Sequence, residues 1–120
     1  KGETYYSSGQ KESEGTYKNA KQDGKWTSWH NNGQKYIEET YKDGVLDGLW
    51  TWYDNGQKRK EGTYKGVDRW GDPVENGKWT FWYENGQKWR EETYKDGKII
   101  RTTWWDKDGN ESGPPSLNWE

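Results

Sequence analysis

The sequence predicts an all-β fold, an open antiparallel meander of stacked β-hairpin repeats. Three observations predict it. A turn tetrad recurs as Ser8-Gly9-Gln10-Lys11, Asn32-Gly33-Gln34-Lys35, Asn55-Gly56-Gln57-Lys58 and Asn85-Gly86-Gln87-Lys88, with a weaker copy at Asp108-Gly109-Asn110-Glu111. From glycine to glycine the steps are 24, 23, 30 and 23 residues, a period that signals a repeat architecture. The segments between turns are built from Trp, Tyr, Thr and Lys. They are strand formers in runs too short for a helix.

Composition says what can fill the core. Only 26% of the 120 residues are hydrophobic, against roughly 45–50% apolar (glycine included) in ordinary globular chains. Aliphatics are scarce, but there are 11 Trp, nine Tyr and one Phe. Disordered chains are poor in aromatics, and each large ring buries about 150–250 Å². The mean hydropathy of −1.68 therefore describes an aromatic core in a charged surface, not disorder.

The unit reads as strand, turn, strand, turn. After each turn glycine come Glu14, Glu38, Glu61 and Glu91 at the fifth place, Thr16, Thr40, Thr63 and Thr93 at the seventh, and Tyr17, Tyr41, Tyr64 and Tyr94 at the eighth. Alternation puts Glu and Thr on one face and the turn lysine with Tyr on the other. The second strand carries Gly24-Lys25-Trp26, Gly48-Leu49-Trp50 and Gly77-Lys78-Trp79, with Lys98–Trp105 as the last copy. Asn-Gly between such runs predicts type I′ hairpin turns. Asp23-Gly24, Asp43-Gly44 and Asp96-Gly97 are the expected return turns. The sum is about nine short strands in one meander. The array is expected over residues 1–113, with units turning at about 9, 33, 56, 86 and 109, followed by a Pro-containing extended tail at 114–120.

Equivalent residues of successive repeats sit about 9.6 Å apart. The expected core is an aromatic ladder of Tyr17, Trp29, Tyr41, Trp52, Tyr64, Trp82, Tyr94 and Trp105. Trp occurs on both parities, so some indoles are expected to stay partly exposed. The Trp50 copy is one residue shorter before its turn, to be absorbed by a bulge or a changed turn. The longest return connection, around 66–76, holds Trp70. It is either a lid over the ladder or an exposed contact residue.

Net charge is −2 with Lys and Glu intermixed, which leaves no basic stripe for nucleic acid. No apolar run approaches the roughly 20 residues of a membrane-spanning helix. Cysteine is absent, so thiolate metal sites and disulfides are excluded. The row of Glu14, Glu38, Glu61 and Glu91, spaced near the upper carboxylate separation of inverting glycosidases, reads as a charged face interleaved with Lys. His30 is the single histidine and reads as an exposed turn residue. Asp106–Glu111 has its glycine at the fourth place, not the sixth of a calcium loop, and reads as the fifth hairpin turn. No catalytic, cofactor or metal residue is expected. The chain begins at Lys1, compatible with a processed secreted protein, and an extracellular or cell-surface location is the weakly favoured expectation.

The pattern Gly-x-Trp-x-x-aromatic, Asn-Gly, Glu-x-x-Tyr, Asp-Gly resembles MORN repeats, in particular their bacterial variant, over roughly residues 3–112. The resemblance implies an elongated twisted sheet with protein partners or self-association, in some cases lipid contact, and an antitoxin-like role by analogy. It supplies no catalytic residue. The expected function is a non-enzymatic structural or interaction module. It would self-associate through open sheet edges and the tail, as a subunit of a secreted filament or surface assembly. The alternative is a protein- or glycan-binding module. Candidate contact residues are Trp70, Trp104, Leu117 and Trp119.

Overall fold

A computed structural model describes residues 1–114. Ten strands run in chain order: β1 (Gly2–Tyr5), β2 (Lys11–Lys18), β3 (Lys21–Trp29), β4 (Lys35–Lys42), β5 (Val45–Asp54), β6 (Gln57–Val67), β7 (Pro73–Trp82), β8 (Lys88–Lys95), β9 (Lys98–Trp105) and β10 (Glu111–Ser112). They form one antiparallel sheet in which every neighbour in space is a neighbour in sequence. The fold is the open all-β meander the repeats predict, with the two-residue β10 as an incomplete return strand. Its Cα radius of gyration is 16.8 Å, against roughly 14 Å for a compact chain of this length, so the sheet is elongated.

Two turn chemistries make the tetrads. At Gly9, Gly33, Gly86 and Gly109 the loop has three residues. The glycine N–H bonds the carbonyl three residues back, as Gly33 does to His30 at 2.9 Å, and the glycine takes positive φ. This is a type I turn followed by a left-handed residue. The expected type I′ turn forms only at Asn55-Gly56, where φ is 52° and 76°. That loop is one residue shorter, so the changed turn absorbs the missing residue of the Trp50 copy.

The return turns also divide. Asp43-Gly44 and Asp96-Gly97 are two-residue turns with positive φ at both positions. Asp23-Gly24 is not a turn, because it lies inside β3. Lys18 pairs with Lys21, and the turn falls at Asn19-Ala20 with φ of 52° and 64°. Gly24 is instead the counterpart of Gly48 and Gly77, all with positive φ in mid-strand. At Gly24 and Gly77 the register slips: Glu14 faces Thr27 while Thr16 faces Asp23, and Glu61 faces Thr80 while Thr63 faces Asn76. The extra residues lift Trp26 and Trp79 over the neighbouring strand.

A second irregularity recurs beside each tetrad. Ser28 pairs with Ile37 and Trp29 with Lys35, skipping Tyr36. Glu12, Arg59 and Trp89 are skipped in the same way. Each is a β-bulge at the third place after the turn glycine. The bulge breaks strict alternation, so the turn lysine does not share the face of Tyr. Lys11, Lys35, Lys58 and Lys88 instead reach Glu14, Glu38, Glu61 and Glu91 at 2.6, 3.3, 3.1 and 2.9 Å.

Candidate interaction surfaces

One sheet face is built on glycine. A Cβ on Gly15 would stand 2.0 Å from the Trp26 indole, and one on Gly62 would stand 1.9 Å from Trp79. Those indoles lie flat on bare backbone and are the buried hydrophobic core, with Trp79 1% exposed. The tyrosine rings close on their edges: Tyr17 and Tyr41 lie 5.1 and 6.5 Å from Trp26, Tyr64 and Tyr94 lie 4.8 and 6.4 Å from Trp79, and Trp50 lies 5.9 Å from Trp79. The indole N–H groups of Trp26 and Trp79 donate to the carbonyls of Thr16 and Thr63.

This arrangement corrects the expected ladder. The ring partners of Tyr17, Tyr41, Tyr64 and Tyr94 are Trp26, Trp50 and Trp79, not Trp29, Trp52, Trp82 and Trp105. Counting back from the turn glycine aligns Trp52 with Trp29 and Trp82. The shorter turn at Asn55-Gly56 makes Tyr53 their structural counterpart instead. Lys35 lies over the Tyr53 ring and Lys88 over Trp105, on the face that carries the glutamates. Trp52 pairs with Ile37 and Lys60, in the row of Phe81 and Trp104. In the last copy Thr102 faces Glu92, the partner of Trp79, so the column has no indole in β9.

Cations complete the aromatic face. The Lys60 ammonium lies 5.6, 5.5 and 5.3 Å from the rings of Trp50, Trp79 and Phe81. The Arg90 guanidinium lies 4.1 Å from Phe81, 4.7 Å from Trp89 and 5.4 Å from Trp104. Each such contact contributes about 0.5–2 kcal/mol, more where water is excluded. Glu39 and Glu92 accept hydrogen bonds from Tyr41 and Tyr94, both at 3.1 Å. Burial first, and the adjacent carboxylate second, pushes the Tyr41 and Tyr94 phenols up to about 12.

On the opposite face Glu and Thr alternate across the sheet. Glu14 faces Thr27, which faces Glu38; Thr51, Glu61, Thr80, Glu91 and Thr103 continue the row. Thr51 is 1% exposed and donates to Glu61 at 2.7 Å. Burial pushes the Glu38 carboxyl upward, but hydrogen bonds from Tyr53, Lys25 and Lys35 outweigh it and hold it at about 2. Hydrogen bonding from Lys11 likewise lowers Glu14. A general acid needs the opposite displacement from that of Glu14 and Glu38, and all four glutamates of the row are ion-paired with the turn lysines, which makes the row a zipper of ion pairs.

The remaining candidates are placed as follows. His30 is exposed and its ring lies 4.7 Å from Tyr36. The Asp106 carboxylate accepts the N–H groups of Asp108 and Asn110, so it shapes the fifth hairpin turn. Among the described residues no group of three or more His, Cys, Asp or Glu could hold a metal ion. Trp70 is not a lid. It is 71% exposed at the tip of the long β6–β7 hairpin, with the Arg69 guanidinium 4.2 Å from its ring centroid. Trp104 is half-buried, 5.6 Å from Trp89. Leu117 and Trp119 lie outside the described residues.

One feature was not read from the sequence, a pair of clefts about Tyr83 and Trp89, of 680 and 340 Å³. Trp89 occupies the bulge position held by Glu12, Tyr36 and Arg59 in other units, and that column was the available signal. The open edge expected at the end of the array is the outer edge of β9. Among the described residues it is paired only at Trp104 and Trp105, leaving Ile99 and Ile100 50% and 62% exposed.

The repeat register agrees with a family comparison. The model of the MORN repeat variant matches residues 1–19, 22–43, 46–65 and 75–96. The chain belongs to the MORN repeat variant family. Each MORN match spans one Glu-x-x-Tyr strand with its tetrad turn, and the gap between the last two coincides with the Trp70 hairpin. The fourth MORN match ends at Asp96, before β9. A comparison with curated proteins finds no match. MORN repeats serve in general as interaction and structural modules, and among the described residues no helix is long and apolar enough to cross a membrane.

Proposed function

We propose that the chain is a non-catalytic module that self-associates through the edges of its sheet. The observation that carries this reading is the bare stretch of β9, where Ile99 and Ile100 stand exposed on a strand whose outer backbone donors and acceptors have no partner among the described residues. Such an edge is a template for another strand. The other edge, β1, is four residues long and covers β2 only from Lys11 to Gly15. Pairing β9 of one copy with β1 of the next is head-to-tail, and head-to-tail contacts that do not close make filaments. Sedimentation velocity across a concentration series tests it. The expected result is growth of the sedimenting species with concentration, suppressed by Ile100→Lys. A monomer at every concentration contradicts the proposal.

The exposure of Trp70 supports a second reading, a protein- or glycan-contacting tip on the β6–β7 hairpin. An exposed indole backed by a guanidinium suits stacking on a sugar face or a partner's hydrophobic pocket. Fluorescence of wild type and Trp70→Ala against an oligosaccharide panel, beside pull-downs with both proteins, separates the two ligand classes. No difference between the proteins in either assay contradicts this reading.

A further inference from the structure

We propose that a row of rings along the tetrad end of the sheet is a binding platform for a linear, uncharged polysaccharide with an extended chain, a glucan of the cellulose type. The row lies at the opposite end of the strands from the Trp70 hairpin, and on a sheet face rather than an edge. It is therefore independent of both readings above.

Strand register creates the row. Tyr5, Trp29, Tyr53 and Trp82 each pair with the lysine across their own tetrad turn, Lys11, Lys35, Lys58 and Lys88. Trp105 holds the same place in β9, opposite Glu111. Each repeat thus sets one ring at one position on the face of the glutamates. A lysine-bearing strand separates each ring from the next, so successive rings sit two strands, about 9.6 Å, apart. Trp29, Tyr53, Trp82 and Trp105 are half-buried.

Two hollows follow the row, and both are made from the same parts: the Gln and Lys of one tetrad, the ring before the next turn, and the glycine of that turn. Gln57, Lys58, Trp82 and Gly86 line one of 300 Å³. Gln87, Lys88, Trp105 and Gly109 line the next, of 380 Å³. Trp82 and Gly86 line both, so the hollows are joined. Gly86 keeps the junction open, since a Cβ there would meet nothing within 4 Å. Gln57 and Gln87 use only backbone groups in hydrogen bonds among the described residues, which leaves their exposed amides for a ligand.

Ring chemistry, period and charge select the occupant. An aromatic ring with a side-chain amide beside it matches the C–H face and the hydroxyl edge of a sugar. The spacing of the rings is close to the length of a disaccharide unit in an extended cellulose-type chain, so every second sugar meets a ring in the same way. A coiled glucan has no such repeat. The lysines of the row are already compensated, because Lys35, Lys58 and Lys88 lie 3.3, 3.1 and 2.9 Å from Glu38, Glu61 and Glu91. An uncharged chain leaves these ion pairs intact. One chain crossing both hollows engages them on a single tether, so affinity grows with chain length.

The test is a fluorescence titration of the full chain with cellohexaose, beside cellobiose and maltohexaose, the latter being the same sugar in a coiled chain. Saturation with cellohexaose is expected, with at least tenfold weaker binding of cellobiose and none of maltohexaose. Trp82→Ala should weaken cellohexaose binding at least tenfold, and Trp70→Ala should leave it unchanged. Gln57→Ala, at an exposed position, should weaken it several-fold and is the readout should Trp82→Ala misfold. Indole N–H shifts in the NMR spectrum of the unaltered protein should be largest at Trp82 and Trp105. No saturation with cellohexaose, equal binding of cellobiose or maltohexaose, loss of binding in Trp70→Ala, or indole shifts confined to tryptophans outside the row overturns the proposal.

Discussion

At the scale of single residues, the glycines under the indoles carry more of the fold than their size suggests. Gly62 has no positive φ to justify it, so its role is space alone: a side chain there collides with Trp79. Overpacking of this kind costs typically 1–3 kcal/mol and more where backbone must move. Gly62→Ala is expected to lose about 3 kcal/mol in urea unfolding, whereas Gly113→Ala, in open space, should leave the midpoint in place. The tyrosines give a second residue-level expectation. Tyr41 and Tyr94 are raised from 10 to about 12, so the folded state holds its phenolic protons longer than the unfolded one. Their contribution is complete below pH 10 and is lost as pH rises through 12. Phenolate absorbance during alkaline titration should show a late step coincident with unfolding; early, smooth ionisation of every tyrosine contradicts it.

At the scale of elements, the strands are fastened on one face by rings and on the other by the Glu–Thr–Lys row. Glu38 is depressed from 4.5 to about 2, so its contribution is present above pH 4.5 and disappears as pH falls toward 2. Glu38→Gln should flatten the acid limb of the stability curve and lower stability at pH 7. An acid limb identical to wild type contradicts that role. The elements also show what the sequence makes legible. Tetrad spacing reveals the hairpins, because Gly and Asn mark where the chain must enter left-handed φ. It does not reveal which Trp is inside. That depends on the one-residue bulges after the turns and on a turn shortened by one residue, which move side chains between faces. Trp79 and Trp82 are three residues apart, so alternation puts them on opposite faces without saying which face is covered; the slip at Gly77, which seats Trp79 over Gly62, decides it. The cleft at Trp89 was hidden for the same reason: a bulge residue has no partner from which alternation could infer its direction.

At the scale of the whole molecule, the chain replaces a two-layer core with one layer of stacked rings, thickest in the middle and thin at β1 and β9. The buried side chains Trp26, Thr51, Trp79 and Glu92 lie on β3, β5, β7 and β8, while β9 from Lys98 to Thr102 is exposed. Among the described residues both edges of this single sheet keep unpaired backbone groups, as the proposed self-association requires. It also predicts a gradient of stability along the array, since local opening follows the density of buried contacts. The most direct test is residue-resolved hydrogen exchange on the monomer at low concentration. The slowest amides are expected in β5 to β7 around Thr51 and Trp79, with protection falling toward β1 and β9. Uniform protection along the sheet, or a maximum in β9, would contradict an aromatic column as the core.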